Sequence, residues 1–460
     1  MTSTHSIILH CNLVYIYLKM KLVAVSILCI TNVVNIQGFL SPSWNGIHSS
    51  VTSSAYSSSL FAKQQKKKKT TSSAAGLKGF GASTKTSASN TINVPVDRSK
   101  SALEFYSYLE NQGAGPNLKR VALGFFPISP DDKELKLRGV VALKKINKGE
   151  IIIEIPYEAA WNLGMESSDP TLPGLTLLQE YCSWISGDEP SSTKKRNLGP
   201  YLQMLPPFRS TDVLGSTDFF SDEALEMLQY PQIKEETLAR RDKTLARFER
   251  DIEPMMEISS NMYKWKDGEK ITEEHLRWAV WLITSRVLTV QGEAETNNKY
   301  RLMIPLIDMC NHDRSSPHIL TGRAVPGGML RVVAGKTVEA GDQINIVYGG
   351  GALGNERFIQ DYGFLDNFCN GDADIITAKI LMGKARIVEG ATIRNGRPML
   401  MPEDERERAL AALDATTVEE DVSLLTSQGA TMKDDVRTAL EFRIAVKKAL
   451  KKLGYGLAMA

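Results

Sequence analysis

One sequence frame occurs twice in this chain, as "VVALKKINKGEIIIEI" (Val140–Ile155) and as "VVAGKTVEAGDQINIV" (Val332–Val347). Each copy opens with Val-Val-Ala, has a lysine two residues later, and reaches a glycine and an acid before an apolar stretch. Gly149 and Gly341 stand where the chain has to bend, so each copy predicts a strand, a turn and a second strand closed as a hairpin. The chain is therefore expected to contain two matched β-units separated by a long intervening segment.

The second copy leads directly to a tyrosine. Ile344 and Ile346 alternate with Asn345 and Val347, and period-2 alternation puts Tyr348 on the same face as the two isoleucines. If that face is the core, the Tyr348 hydroxyl is delivered to a buried place at the end of the strand. A half-buried core tyrosine would give the same pattern.

Between the two copies the chain reads as helical. Residues 246–267 and 272–290 both have helical character, with Thr272 predicted as the N-cap of the second helix. Arg286 is the only charged residue in the apolar stretch from Trp278 to Val290. A buried guanidinium needs an anionic partner, which is either a protein carboxylate or the carboxylate of a ligand. After residue 366 the chain also reads as helical, with i, i+4, i+7 spacing over 434–453.

The charge distribution separates the N-terminal hundred residues from the rest. They hold 11 Lys and Arg against 1 acidic residue, while the remainder holds 44 basic and 52 acidic residues. The body is mildly acidic, which argues against nucleic acid as a partner. The 5 cysteines form no C-x-x-C pair, so neither a zinc ribbon nor a disulfide framework is predicted.

Residues 1–38 read as a signal peptide, with Lys21 before an apolar run and Gly38 before the expected cut; Met20 is an alternative start. A membrane anchor is the alternative, although the run is short for a span, and no stable anchor is expected after processing. Residues 39–100 are rich in Ser, Thr, Ala and Lys and are predicted to be disordered. Together the two segments resemble a bipartite plastid presequence, which implies a plastid location. The run Lys66–Lys69 leaves the nucleus or the cytoplasm as alternatives.

The stretch "IPLIDMCNHDRSSPH" concentrates polar side chains behind an apolar run. Asp308, His312 and His318 could ligate a cation, although no second ligand cluster accompanies them. The "GGGALG" that follows Tyr348 fits the G-x-G-x-x-G of dinucleotide-binding folds at Gly349, Gly351 and Gly354. That fingerprint is weak here because no series of alternating strands and helices surrounds it.

Four segments taken together resemble a known family: "LRGVVALKKINKGEIIIEIP", "WAVWLITSRVL", "IPLIDMCNH" and "INIVYGGGALGNERFIQDYGF". In this order they are similar to SET-domain methyltransferases of the Rubisco large-subunit lysine methyltransferase-like group. The resemblance spans roughly residues 137–366. It implies an α+β fold, in which a SET-type β fold with a pseudoknot carries a helical insertion and a helical C-terminal region.

The resemblance also implies roles for individual residues. Tyr348 is expected to be catalytic, Tyr362 to bind substrate as a wall of a lysine channel, and no metal is expected. The expected cofactor is S-adenosyl-L-methionine, and the residues expected to bind it are Gly139, Arg286, Asp308, Asn311 and His312. The chain departs from the family at Leu137, where the family has glycine, and in the turn after Tyr348, which has one residue more.

The domains expected on this basis are a SET domain over 101–366, interrupted by the insertion at about 160–290, and a substrate-binding helical region over 367–460. The implied activity is S-adenosylmethionine-dependent lysine N-methylation of a plastid protein, by analogy Rubisco large subunit or plastid aldolase. A non-catalytic SET-like binding module and a histidine-directed protein methyltransferase stay open as alternatives.

We expect the chain to be cut near Gly38–Phe39, and a fluorescent fusion of residues 20–100 to reach the plastid. Phe39→Ala should block that import, because the bipartite interpretation depends on the aromatic residue at the cut. Microscopy of the two fusions checks this, and unchanged plastid import of the Phe39→Ala fusion would show the interpretation to be wrong.

Overall fold

The described fold begins at Val96, which forms an antiparallel bridge with Gly124. The computed structural model describes residues 96–127, 136–167, 169–187, 197–210, 214–258, 263–296, 298–351, 353–366, 372–384 and 401–456. All of them lie in one unit, Thr86–Ala460. The predicted signal peptide and most of the predicted transit-like segment lie outside the described residues. The bridge at Val96 puts the start of the folded body before the expected boundary at residue 101.

The strands form three sheets among the described residues, in the orders β1-β2-β10-β7, β3-β9-β8 and β4-β6-β5. Their bounds are β1 Val121–Pro127, β2 Lys136–Ala142, β3 Ile151–Pro156, β4 Trp161–Met165, β5 Leu288–Gln291, β6 Lys299–Met303, β7 Asn311–His312, β8 Ile319–Thr321, β9 Met329–Val333 and β10 Gln343–Ile346. The pairing is antiparallel throughout except for β7, which runs parallel to β10.

The two copies of the repeated frame do not close as hairpins, and the hairpin prediction is wrong. β2 and β3 of the first copy enter different sheets, and so do β9 and β10 of the second. Each copy pairs with the other instead, β2 with β10 and β3 with β9. Each strand has one edge paired with a strand of the other copy, and β2, β10 and β9 pair at their second edge with β1, β7 and β8. No edge is therefore left for a local hairpin partner in these three strands.

Reciprocal backbone hydrogen bonds join the two copies at their turns. Ile146 and Val338 each donate N–H to the carbonyl of the other, both at 2.9 Å. The Gly149 N–H donates to Ala334 O at 2.7 Å, and the Gly341 N–H donates to Ala142 O at 2.8 Å. Gly149 has φ +85° and Gly341 has φ +96°, a region that residues with a Cβ rarely adopt. Each glycine turn is therefore hydrogen-bonded to the other copy of the repeated frame, and neither turn closes a hairpin within its own copy.

The helices fall between β4 and β5, after β10, and at the N-terminal start. Their bounds are α1 Lys100–Asn111, α2 Thr171–Ser186, α3 Gly199–Leu202, α4 Asp222–Met227, α5 Pro231–Asp251, α6 Glu253–Ile258, α7 Glu273–Arg286, α8 Asn355–Tyr362, α9 Asp372–Leu381, α10 Glu403–Leu413, α11 Val418–Gln428 and α12 Asp434–Lys452.

Two predicted helices differ from the structure in their bounds. The stretch 246–267 contains the end of α5, then α6, and then a turn at Lys266–Gly268, so it is not one helix. The helix predicted over 272–290 ends at Arg286, because the apolar residues that follow pair as β5 with β6. Thr272 occupies the predicted N-cap position, and its N–H donates to His275 Nδ1 at 3.0 Å.

Three apolar clusters lie among the described residues, two of them large. The first joins the sheets to α1, α2 and α7 and contains the buried Trp278. The second joins Phe220 and Leu225, from the interval expected as the insertion, to Phe442 and Val446 of α12. The insertion and the C-terminal region, expected as separate parts, therefore share one core.

No helix among the described residues has the length and the apolar character that a membrane crossing requires.

Candidate active site

Tyr348 follows the last strand of the β1-β2-β10-β7 sheet. Ile344 and Ile346 are buried, and the strand ends at Ile346, so the Tyr348 ring enters the site from a turn rather than from the strand itself. Its hydroxyl donates to Cys310 O at 2.8 Å. Burial raises the pKa of Tyr348 well above the ordinary phenol value, so this hydroxyl stays protonated at neutral pH.

His312 holds the backbone of Tyr348 in place. Its Nδ1 accepts the Tyr348 N–H at 3.1 Å, and its Nε2 lies 3.2 Å from Asp366 Oδ2. Since Nδ1 accepts, the proton of the neutral ring sits on Nε2 and is donated to Asp366. Both ring nitrogens are engaged, which leaves neither lone pair free for a cation.

Arg314 ties the turn after Tyr348 to the same carboxylate. Its Nε donates to Asp366 Oδ2 at 2.7 Å, and its two terminal nitrogens donate to Gly351 O and Leu353 O, both at 2.6 Å. Burial raises the pKa of Asp366, but the hydrogen bonds from His312 and Arg314 outweigh it and hold that pKa below the ordinary value. Sequence reasoning missed Arg314 and Asp366; the only signal for them was the position of Arg314 two residues after the His312 that it supports.

The structure does not bring the three candidate metal ligands together. Asp308 faces Tyr201, and His312 faces Asp366, while His318 Nδ1 accepts the Gly335 N–H at 3.3 Å. No group of three or more His, Cys, Asp or Glu side chains suited to a metal occurs in the part of the chain that the structure describes.

The glycine fingerprint forms a tight turn instead of a dinucleotide loop. Gly349, Gly350 and Gly351 all have positive φ, at 57°, 63° and 77°, within the short turn Tyr348–Gly351. The preceding strand pairs antiparallel with β2, whereas a dinucleotide-binding fold needs a series of parallel strands. The glycines let the chain reverse directly behind Tyr348.

Arg286 and Asp308 lie together at the C-terminal end of α7. The Arg286 Nη1 donates to the backbone carbonyl of Asp308 at 3.0 Å. The Arg286 Nε and the Asp308 Oδ1 are buried and have no hydrogen-bond partner among the described residues. Burial raises the pKa of Asp308 to about 6 against the opposing effects of Arg286 and of a hydrogen bond from Tyr201. A buried donor and a buried acceptor left unpaired on two residues that are joined by a hydrogen bond indicate a place prepared for a polar ligand.

Two side chains that sequence reasoning did not single out complete this cluster. Tyr201 of α3 is fully buried, and its hydroxyl donates to Asp308 Oδ2. Arg138 of β2 donates to Met204 O, just beyond α3. No motif marks Tyr201, because it lies in the helical segment, far in sequence from the four segments that carry the resemblance.

Gly139 and Asn311 meet across the sheet. The Asn311 side-chain amide donates to Arg138 O at 3.2 Å. A Cβ at Gly139 would lie 2.8 Å from Asn311 Nδ2 and 2.7 Å from Gln343 Nε2, so a larger residue would displace both side chains. Glycine at this position leaves both amide groups room beside the strand, while the Leu137 side chain is exposed at 38%.

An aromatic cluster surrounds Tyr348. The Tyr348 and Tyr362 rings stack with centroids 5.2 Å apart, and Phe358 lies 5.7 Å from Tyr362 and 4.7 Å from His312. Phe364 is partly buried and packs against the same cluster. The cluster is an apolar wall with two phenol groups beside the backbone turn.

Comparison with known families identifies the domain that carries this site: residues 137–349 match the family model described as "SET domain". Residues 137–349 form a SET domain.

The solved structures similar to this chain include a crystal structure of the SET domain of LSMT bound to lysine and AdoHcy. It has a TM-score of 0.50 at 16% identity and covers 77% of this chain and 90% of that one. A structure of Rubisco LSMT bound to AdoMet has a TM-score of 0.47 at 16% identity, with 77% and 91% covered. A search of curated protein sequences finds no match. The predicted α+β class with a SET-type fold is confirmed.

Arg314→Ala should lower the free energy of unfolding by about 3 kcal/mol, because it leaves the buried Asp366 carboxylate without its cation. Denaturant unfolding measures this. The matched control is Arg250→Ala, which removes an exposed arginine paired with Asp251 and should change stability little. Equal effects of the two substitutions would contradict the anchoring role of Arg314.

Proposed function

We propose that this chain is a protein-lysine N-methyltransferase that uses S-adenosyl-L-methionine. The observation that carries the proposal is the convergence of Tyr348, the His312-held turn and the Arg286–Asp308 pair within a SET domain. The fold shared with the SET domain of LSMT supports it.

The side chains present fit the proposed cofactor. S-adenosylmethionine has a zwitterionic amino-acid end, with one carboxylate and one ammonium group. The unpaired Arg286 Nε suits the carboxylate, and the unpaired Asp308 Oδ1 suits the ammonium. Gly139 leaves room for the Asn311 amide, which donates to Arg138 O, and His312 holds the Tyr348 backbone. When bound, the cofactor supplies a sulfonium methyl group, which is transferred as its bond to sulfur breaks.

The acceptor has to be a neutral amine, because only its lone pair can form the new bond to carbon. A free lysine has a pKa near about 10.4, so most of it is protonated at neutral pH. An apolar wall made of Tyr348, Tyr362, Phe358 and Phe364 disfavours the ammonium form and favours loss of its proton to solvent before transfer. The same wall aligns the amine for in-line attack.

Tyr348 assists the transfer electrostatically rather than as a base. Its hydroxyl donates to Cys310 O, and its raised pKa keeps it protonated. A protonated phenol cannot accept the proton of the substrate amine. The oxygen lone pairs of the hydroxyl and of nearby carbonyls can orient the methyl group, which carries partial positive charge during transfer.

The acceptor is proposed to be a plastid protein, on the presequence-like N-terminus and by analogy with Rubisco large subunit and plastid aldolase. The helical region after residue 366 is proposed to contribute to its binding. Cytoplasm or nucleus, histidine as acceptor, and a non-catalytic binding module are the competing outcomes.

Incubation of the purified chain with labelled S-adenosylmethionine and plastid extract, followed by mass spectrometry, tests the proposal. Methyl-lysine on a plastid protein is the expected product. Methyl-histidine would show that the acceptor is histidine rather than lysine. Bound cofactor without any labelled product would favour a non-catalytic binding module.

Tyr348→Phe should reduce methyl transfer by about 10²–10³ while cofactor affinity stays nearly unchanged, because only a preorganised hydroxyl is removed. Single-turnover methylation of the labelled acceptor and calorimetric titration measure the two effects. The control is Tyr230→Phe, which removes another buried hydroxyl from the second core. Near wild-type turnover in Tyr348→Phe would mean that Tyr348 is a packing residue only.

A further inference from the structure

Tyr201 of α3 forms a direct hydrogen bond with the buried Asp308 carboxylate. It lies on a four-residue helix, Gly199–Leu202, and its side chain is fully buried. Its ring packs against Phe105 of α1, with centroids 6.3 Å apart. Packing on that side leaves the hydroxyl directed at Asp308 Oδ2.

The two oxygens of Asp308 therefore have different surroundings. Oδ2 accepts the Tyr201 hydroxyl, while Oδ1 is buried and has no hydrogen-bond partner among the described residues. Asp308 as a whole residue is 7% exposed. A carboxylate fixed at one oxygen presents the other in a defined direction, which is the geometry that a single cationic group requires.

We propose that Tyr201 is a positioning residue, which holds the Asp308 carboxylate ionised and oriented so that Oδ1 receives the ammonium group of the cofactor. This rests on the proposed function. It assigns to the helical segment before α7 a part in cofactor binding that the four motif segments do not contain.

The charged and titratable groups that face Asp308 come from each element packed against it. They are Arg286 of α7, Arg138 of β2, Tyr201 of α3, and Cys310 and Tyr348 on the following segments. Burial raises the pKa of Asp308 to about 6, and Arg286, Tyr201 and Arg138 all act to lower it. The Tyr201 hydroxyl lowers the pKa because it donates to the charged form.

The hydrogen bond from Tyr201 determines how the affinity for the cofactor should change with pH. An ammonium group binds the ionised carboxylate, so affinity falls as the pH drops through the pKa of Asp308. Tyr201→Phe keeps the ring and removes the donor, which raises that pKa further. The loss of affinity should then begin at a higher pH.

Calorimetric titration of the full chain with S-adenosylmethionine from pH 5.5 to 8.5 tests this. In Tyr201→Phe the midpoint of the affinity profile should rise by roughly one pH unit, with binding about fivefold weaker near pH 6 and within about twofold of wild type at pH 8.5. Tyr230→Phe, the matched buried-hydroxyl control, should keep the wild-type midpoint. A uniform loss at every pH, or an unshifted midpoint, would overturn the proposal for Tyr201.

A second readout needs no cofactor. The folded pKa of Asp308 lies above the unfolded value of about 3.9, so this group makes stability fall as pH rises from about 4 to about 6. In Tyr201→Phe that fall should extend to higher pH, and the Tm difference from wild type should widen there. A Tm difference independent of pH would contradict the link between the two side chains.

If Tyr201→Phe does not fold, Asp308→Asn gives the answer, because it removes the titration and should flatten the low-pH step in the binding profile. Persistence of the step in Asp308→Asn would overturn the proposal. Wild-type protein that binds no S-adenosylmethionine at any pH would instead overturn the proposed function, and the ligand role of Tyr201 with it.

Discussion

The geometry of the candidate site depends on the pairing of strands of one copy of the repeated frame with strands of the other copy. Reciprocal hydrogen bonds between Ile146 and Val338 fix the register of this pairing. That register pairs β10 with β2 on one side and leaves its other side to β7. Asn311 and His312 are thereby placed next to Asn345 and Ile346, and the chain that leaves β10 has to turn beside His312. The position of Tyr348 is a consequence of this arrangement.

A second layer of polar contacts turns that position into a defined geometry. His312 accepts the Tyr348 N–H and donates to Asp366, and Arg314 joins Asp366 to the carbonyls of the glycine turn. Every member of the network except Asp366 Oδ1 has its partner within the described residues. Buried polar networks of this kind are rigid when they are satisfied, and rigidity is what an in-line transfer needs.

The sequence predicted the parts of the fold that depend on local pattern. Period-2 alternation located β10, and the apolar run with a capping threonine located α7. It could not predict which strands pair, because the strand–turn–strand pattern of a hairpin is the same whether the partner is local or far along the chain. The end of α7 was missed for a related reason: Leu288–Gln291 is apolar enough to continue a helix, and pairing with β6 decides otherwise.

The candidate site divides in the same way. Gly139, Arg286, Asp308, Asn311, His312, Tyr348 and Tyr362 were named through the family resemblance, and the structure places each of them around β2, β7, β10, α7 and α8. Tyr201, Arg314 and Asp366 act through long-range contacts that no spacing rule encodes. The described hydrogen bond of Arg286 does not supply the expected anionic partner, because it goes to the neutral backbone carbonyl of Asp308, and the Arg286 Nε stays unpaired.

The most direct test of the account is the affinity of the purified chain for S-adenosylmethionine, measured by calorimetry for wild type and for Arg286→Ala. The account predicts binding of one cofactor per chain and a loss of more than about 1 kcal/mol of binding free energy in the variant, with the domain still folded. Absence of binding to wild type, or equal affinity in the two proteins, would contradict it.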